Sequence, residues 1–118
     1  MQAVNLAEKF SLFDERWQPK IVGELNDSYI KIAKVQGEFV WHHHDQEDEL
    51  FFVVQGNLRI ELREGEIRLG PGEFAIIPKG VEHRPVAAEE VQIMLIEPKT
   101  TRNTGNVESE LTSSDEWL

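Results

Sequence analysis

From Ile21 onward the chain is built of short apolar runs rich in Val, Ile and Phe, closed about every ten residues by Gly, Asn, Asp or Pro. That punctuation belongs to a sandwich or barrel of antiparallel strands. Strands are predicted over 20–25, 28–36, 39–44, 49–54, 57–63, 66–69, 74–77, 82–86 and 91–97. Between Asn57 and Arg63 the alternation is clean: Leu58, Ile60 and Leu62 share one face, and Arg59, Glu61 and Arg63 the other, so this strand has a wet side. Residues 50–54 and 91–97 are apolar on both faces, as in strands held between a core and an outside partner. Asn26-Asp27, Gln55-Gly56-Asn57 and Arg63-Glu64-Gly65-Glu66 supply tight turns between neighbouring strands.

The two ends read differently. Leu6, Phe10 and Phe13 recur at three- and four-residue steps that suit a short helical turn, and the same residues also suit an extended arm. After Pro98 the chain turns polar and ends in Trp117-Leu118, which predicts an extended segment pinned by Trp117 or a partly disordered one. The expected organisation is an N-terminal arm or short helix over 1–20, an all-β domain over 21–98 and a polar tail over 99–118.

Composition narrows the function classes. There are no cysteines, so a metal would be held by nitrogen and oxygen, and a reducing cytoplasm fits. The net charge of −10 argues against nucleic acid as a partner. No stretch approaches the ~20 apolar residues of a membrane helix, and the N-terminus lacks the basic start and apolar run of a secretion signal. A β domain in a chain of 118 residues leaves sheet faces needing cover, so a homodimer is expected.

The chemistry gathers on histidine. His42, His43 and His44 are consecutive; on a strand His42 and His44 share a face and His43 points away. Glu49 opens the next apolar run after the polar turn Asp45–Asp48, where its carboxylate can return beside the imidazole pair; Asp45, Glu47 and Asp48 compete for that role. His83 follows the turn Pro78-Lys79-Gly80 and can add a nitrogen from across the domain. Such a set suits Zn, Fe, Mn, Ni, Co or Cu as a divalent ion and suits Ca or Mg poorly.

The spacing of these residues resembles the two motifs of the cupin superfamily. The first runs G, five residues, H-x-H, three or four residues, E, six residues, G; Gly37, His42, His44, Glu49 and Gly56 fit it with the first gap one residue short. The second runs G, five residues, P-x-G, two residues, H, three residues, N; Gly72, Pro78, Gly80 and His83 fit it, with Ala87 where the Asn stands. The short gap allows another register with His43 and Asp45 as the pair, but Trp41-His42 followed by Asp48-Glu49-Leu50-Phe51 is similar to small single-domain cupins in which the His after Trp is the first ligand. The resemblance implies a double-stranded antiparallel β-helix, the jelly-roll barrel, with one divalent transition metal in its mouth on His42, His44, Glu49 and His83. It is strongest to short cupins described as mannose-6-phosphate-isomerase-like. Phe39, Phe51, Phe74, Arg59 and Met94 are candidates to line the substrate pocket. The function implied is binding of a small organic molecule at the metal; a metal-dependent dioxygenase, a sugar or sugar-phosphate isomerase and a non-catalytic sensor remain alternatives.

Overall fold

A computed structural model describes residues 1–118. One short helix, α1 Leu6–Phe10, precedes eight strands: β1 Lys20–Leu25, β2 Ser28–Glu38, β3 Glu49–Gln55, β4 Leu58–Leu62, β5 Gly65–Leu69, β6 Phe74–Ile77, β7 His83–Pro98 and β8 Glu116–Trp117. Every ladder is antiparallel except the short parallel pairing of β8 on β1. Hydrogen-bonded neighbours run β5-β4-β7-β2-β1-β8, with β3 and then β6 branching from β7. The result is the expected all-β jelly roll, as a sandwich whose sheet stays open.

Alternation decides what is inside. Along β7 the residues at 91, 93, 95 and 97 are buried while those between them are half-exposed. β3 repeats the pattern with Glu49, Phe51 and Val53 inward, and these side chains meet Ala33 and Val35 of β2 and Leu58 and Ile60 of β4 in the main core. A second cluster lies outside the sheet, where Phe10 and Phe13 cover Ile32. The helix beneath it is brief and is started by Asn5, whose side-chain oxygen accepts the Glu8 N–H at 3.0 Å. At the β1–β2 corner Asn26 adopts a left-handed backbone (φ 53), which Asn tolerates.

Two strand expectations are corrected. The predicted strands 82–86 and 91–97 are one strand: the apolar pattern breaks at polar Glu89 and Glu90, yet the β2–β7 ladder slips between Val35 and Gly37 and carries on. Residues 39–44 form no strand; the segment is tied to β7 by the isolated bridge of His42 with His83 and by the Phe39 N–H on the Pro85 carbonyl at 2.9 Å. No helix is long and apolar enough to cross a membrane.

Candidate metal centre

The His42–His44 segment is held at both ends by backbone partners. His42 and His83 exchange backbone hydrogen bonds, N–H of His42 to O of His83 at 3.1 Å and the reverse at 2.9 Å; Gly80 donates its N–H to the His44 carbonyl at 2.8 Å. Gly80 sits at φ 82, a conformation that glycine takes without the strain another residue would bear, and its turn delivers His83 to the bridge. His83 and Glu49 stand at the starts of β7 and β3, so the strands end at one place and their side chains converge there.

His42, His44, Glu49 and His83 are all buried, and one nitrogen or oxygen from each lies within 4.8 Å of the others. The imidazole rings of His42 and His83 are 4.3 Å apart between centroids, and those of His42 and His44 are 5.0 Å apart. Nδ1–H of His42 donates to the Val40 carbonyl and Nδ1–H of His83 to the Val81 carbonyl, each at 2.9 Å. These bonds fix the tautomer and turn both Nε2 lone pairs to the centre, as outer-shell bonds do in metal sites. Nε2 of His83 and of His44 each stand 3.3 Å from Glu49 Oε1, but His44 forms no hydrogen bond through either ring nitrogen. A buried imidazole with no partner costs stability unless something fills its coordination, and the donor set of three nitrogens and one carboxylate suits a divalent transition metal.

Electrostatics favours the same state. Burial, reinforced by the charge His83 would carry, pushes His42 down to about 4, so it is a neutral lone-pair donor near pH 7. Burial opposes ionisation of Glu49, yet the neighbouring Glu97 carboxyl and the His44 and His83 imidazoles beside it outweigh that and hold its carboxyl well below the usual range. Glu97 goes the other way: burial and the adjacent Glu49 raise it well above the ordinary carboxyl value. Its Oε1 accepts from Lys31 Nζ at 3.0 Å, and Lys31 also reaches Asp115 at 2.7 Å.

Beside the centre is a cavity of about 40 Å³, room for about three water molecules. Its apolar wall includes Phe39, Phe51, Leu95 and Trp17; His42, Glu49, Glu97 and Asn103 are its polar members, and no Lys or Arg lines it. Of the pocket candidates, Phe39 and Phe51 are in the wall and three are not. Phe74 and Met94 pair with Phe52 across β6 and β7, on the outer face by strand parity, and Phe74 is 59% exposed. Arg59 faces away from the main core beside Glu61 and Glu66. Neither Asp45, Glu47 nor Asp48 joins the cluster: Asp45 pairs with His43, Glu47 accepts the Thr100 hydroxyl, and Asp48 accepts the Lys79 N–H. Sequence reasoning missed Glu97 and Lys31. The parity of β7 that places Ile93 and Leu95 inside places Glu97 there too, and this signal was available. Trp17 and Asn103 reach the cavity from the two ends of the chain and left none.

Residues 29–98 match the Cupin_2 family, described as the cupin domain. The crystal structure of a cupin-2 domain containing protein from Shewanella frigidimarina NCIMB 400 superposes with a TM-score of 0.81 at 51% identity, covering 81% of this chain and 94% of that one. The uncharacterized protein YdbB of Bacillus subtilis (strain 168) is 41% identical over 64 residues, 53% of this chain and 57% of its own. Homogentisate 1,2-dioxygenase from Bradyrhizobium diazoefficiens is 46% identical over 44 residues, 36% of this chain and 10% of its own. The match thus spans little more than half of the first of these two relatives and a small part of the second. With more than half its length matched and all three motif histidines in the buried cluster, the chain belongs to the cupin domain family.

Proposed function

We propose that this cupin binds one divalent transition metal through His42, His44, Glu49 and His83 and holds a small organic molecule at that metal. The observation that carries the reading is the buried quartet, with both ring nitrogens of His44 unpartnered. A metal there would act as a Lewis acid on a bound oxygen. The chain's own part is to hold the His42 and His83 imidazoles in the lone-pair tautomer beside the unpartnered His44, to balance charge with Glu49 and to line the site with the Trp17, Phe39 and Phe51 wall. A phosphorylated sugar fits poorly, since no cation lines the cavity and phosphate is held by Arg or Lys. A dioxygenase is the second reading, favoured by the segment shared with homogentisate 1,2-dioxygenase. Elemental analysis of untagged protein is expected to find about one ion per chain. Metal-free protein that takes up no added Zn²⁺, Co²⁺ or Fe²⁺ would refute the reading. Turnover tested under air and under nitrogen separates oxygen-dependent chemistry from the rest.

We also propose that a second copy of the chain covers the outer sheet face. Across β6, β3, β7 and β2 the register aligns two apolar rows, Phe74-Phe52-Met94-Ile32 and Ile76-Leu50-Ile96-Ile30. Phe10 and Phe13 shield only the Ile32 end, leaving Phe74 and Ile76 59% and 54% exposed. A contiguous apolar face of this kind calls for a partner. Light scattering is expected to give twice the chain mass, and Ile76→Lys to shift it toward one; a wild-type mass of a single chain rules the dimer out.

A further inference from the structure

The segment carrying His42 and His44 is not stabilised as a strand, and part of what holds it comes from outside the residues that match the family. The loop 101–113 is tied to itself: Thr104, fully buried, bonds through its hydroxyl with the Val107 carbonyl and the Thr112 hydroxyl, each at 2.6 Å. Asn103 donates to the Leu111 carbonyl at 2.8 Å and accepts the Ser113 N–H at 3.0 Å. The loop's far end is anchored by Asp115 on Lys31 at 2.7 Å and by the Leu118 N–H on the Ile21 carbonyl at 3.0 Å.

This braced loop meets the histidines at one residue. Asn106 Oδ1 accepts the His43 N–H at 2.9 Å, and the Asn106 N–H donates to the His43 carbonyl at 3.0 Å. Both backbone groups of His43 are therefore satisfied by Asn106. Gly105 makes the approach possible: at φ +57, a Cβ there would lie 2.2 Å from the His43 carbonyl oxygen and 3.0 Å from Cδ2 of His42. The His43 side chain takes no part, since it turns to Asp45 at 2.8 Å. Because the side chains of His42 and His44 leave the backbone on either side of the clasped residue, its position sets theirs.

We propose that Asn106, admitted by Gly105, is a positioning residue of the metal centre: its two-bond clasp on the His43 backbone fixes the imidazoles of His42 and His44 toward the ion. The proposal rests on the reading of the quartet as a metal site. A loose clasp lets the histidine pair spread, so the ion binds less tightly and leaves sooner, while the main core, made by other strands, is unaffected.

The test compares Asn106→Ala, Asn106→Asp and Gly105→Ala with wild type, using Co²⁺ as the probe. Asn106→Ala is expected to weaken Co²⁺ about tenfold, the lower end of what losing an outer-shell partner does, and to speed its loss to excess chelator by a similar factor. The visible Co²⁺ spectrum should change with it. Asn106→Asp keeps the oxygen acceptor and the backbone donor, and is expected to stay within about threefold of wild type. Gly105→Ala drives a Cβ into backbone and should do at least as much harm as Asn106→Ala. A merely structural asparagine would lower the melting temperature of metal-free protein in step with any loss of Co²⁺, whereas a positioning residue loses Co²⁺ affinity with that temperature little changed. The clasp is overturned if Asn106→Ala binds Co²⁺ as wild type does, or if Asp fails to rescue it. Hydrogen exchange at the His43 amide in metal-free protein reads the clasp independently: protection in wild type and its loss in Asn106→Ala are expected. If wild type binds no Co²⁺ while that amide behaves as stated, the metal reading has failed and the clasp's role at a metal falls with it; full binding with an unprotected amide refutes the clasp alone.

Discussion

His83→Ala is expected to empty the metal centre, with an affinity loss beyond about a hundredfold, the upper end of what removal of an outer-shell partner causes. His83 is wholly buried and central to the quartet: its ring lies 4.3 Å from that of His42 and 5.8 Å from that of His44, and its Nε2 is 3.3 Å from Glu49. Its backbone bonds to His42 survive truncation, so the bridge that aligns the segments persists and the loss falls on coordination. Three donors and a void remain, and the void admits water that competes for the ion. Elemental analysis and chelator competition measure the result. Asp45→Asn, Glu47→Gln and Asp48→Asn make the contrast, since each carboxylate is occupied elsewhere and none should change metal content. Retention of metal by His83→Ala would remove this residue from the ligand set, and loss of metal in any of the three acid variants would reopen the identity of the carboxylate.

The strands were legible because most of them have one face in the core, and period-two burial writes itself directly into residues such as Leu58, Ile60, Phe51 and Val53. The histidine geometry was legible for a narrower reason. His42 and His44 do share a side, although the segment is extended without being a strand, because alternation belongs to the extended backbone and needs no ladder. Inward and outward apolar positions could not be told apart in strands apolar on both faces. Phe74 and Met94 were therefore assigned to a wall when they belong with Phe52 on the outside. Parity settles that question only after the pairing partners are known. The tail was least legible of all: Gly105 and Asn106 matter through contacts with a residue more than sixty positions away in sequence, and no local pattern encodes such a contact.

Lys31→Met is expected to cost about 3–5 kcal/mol at pH 8, the range for breaking a buried ion pair by removing one partner. Lys31 and Glu97 are each 1% exposed at the side chain, 3.0 Å apart, and Lys31 is the only cation bonded to Glu97. Burial alone would lower the Lys31 ammonium, but Glu97 and Asp115 outweigh it and raise it above its usual value, so it is charged throughout the range tested. Methionine preserves the length of the stem and deletes the charge, leaving Glu97 beside Glu49 without its cationic partner. Glu97 already holds its proton more firmly than an ordinary carboxyl, and losing Lys31 strengthens that hold. A carboxyl raised in the folded state stabilises the fold below its unfolded value, about 4.3, and loses that contribution as pH climbs through the raised one. The penalty in Lys31→Met should therefore be smaller at pH 5 than at pH 8, and Lys31→Met combined with Glu97→Leu should recover most of it, because no buried charge is then left unpaired. Denaturant unfolding of metal-free protein at both pH values checks this. A single variant within about 1 kcal/mol of wild type at pH 8, or a penalty that grows on acidification, would show that Glu97 is satisfied by something other than Lys31.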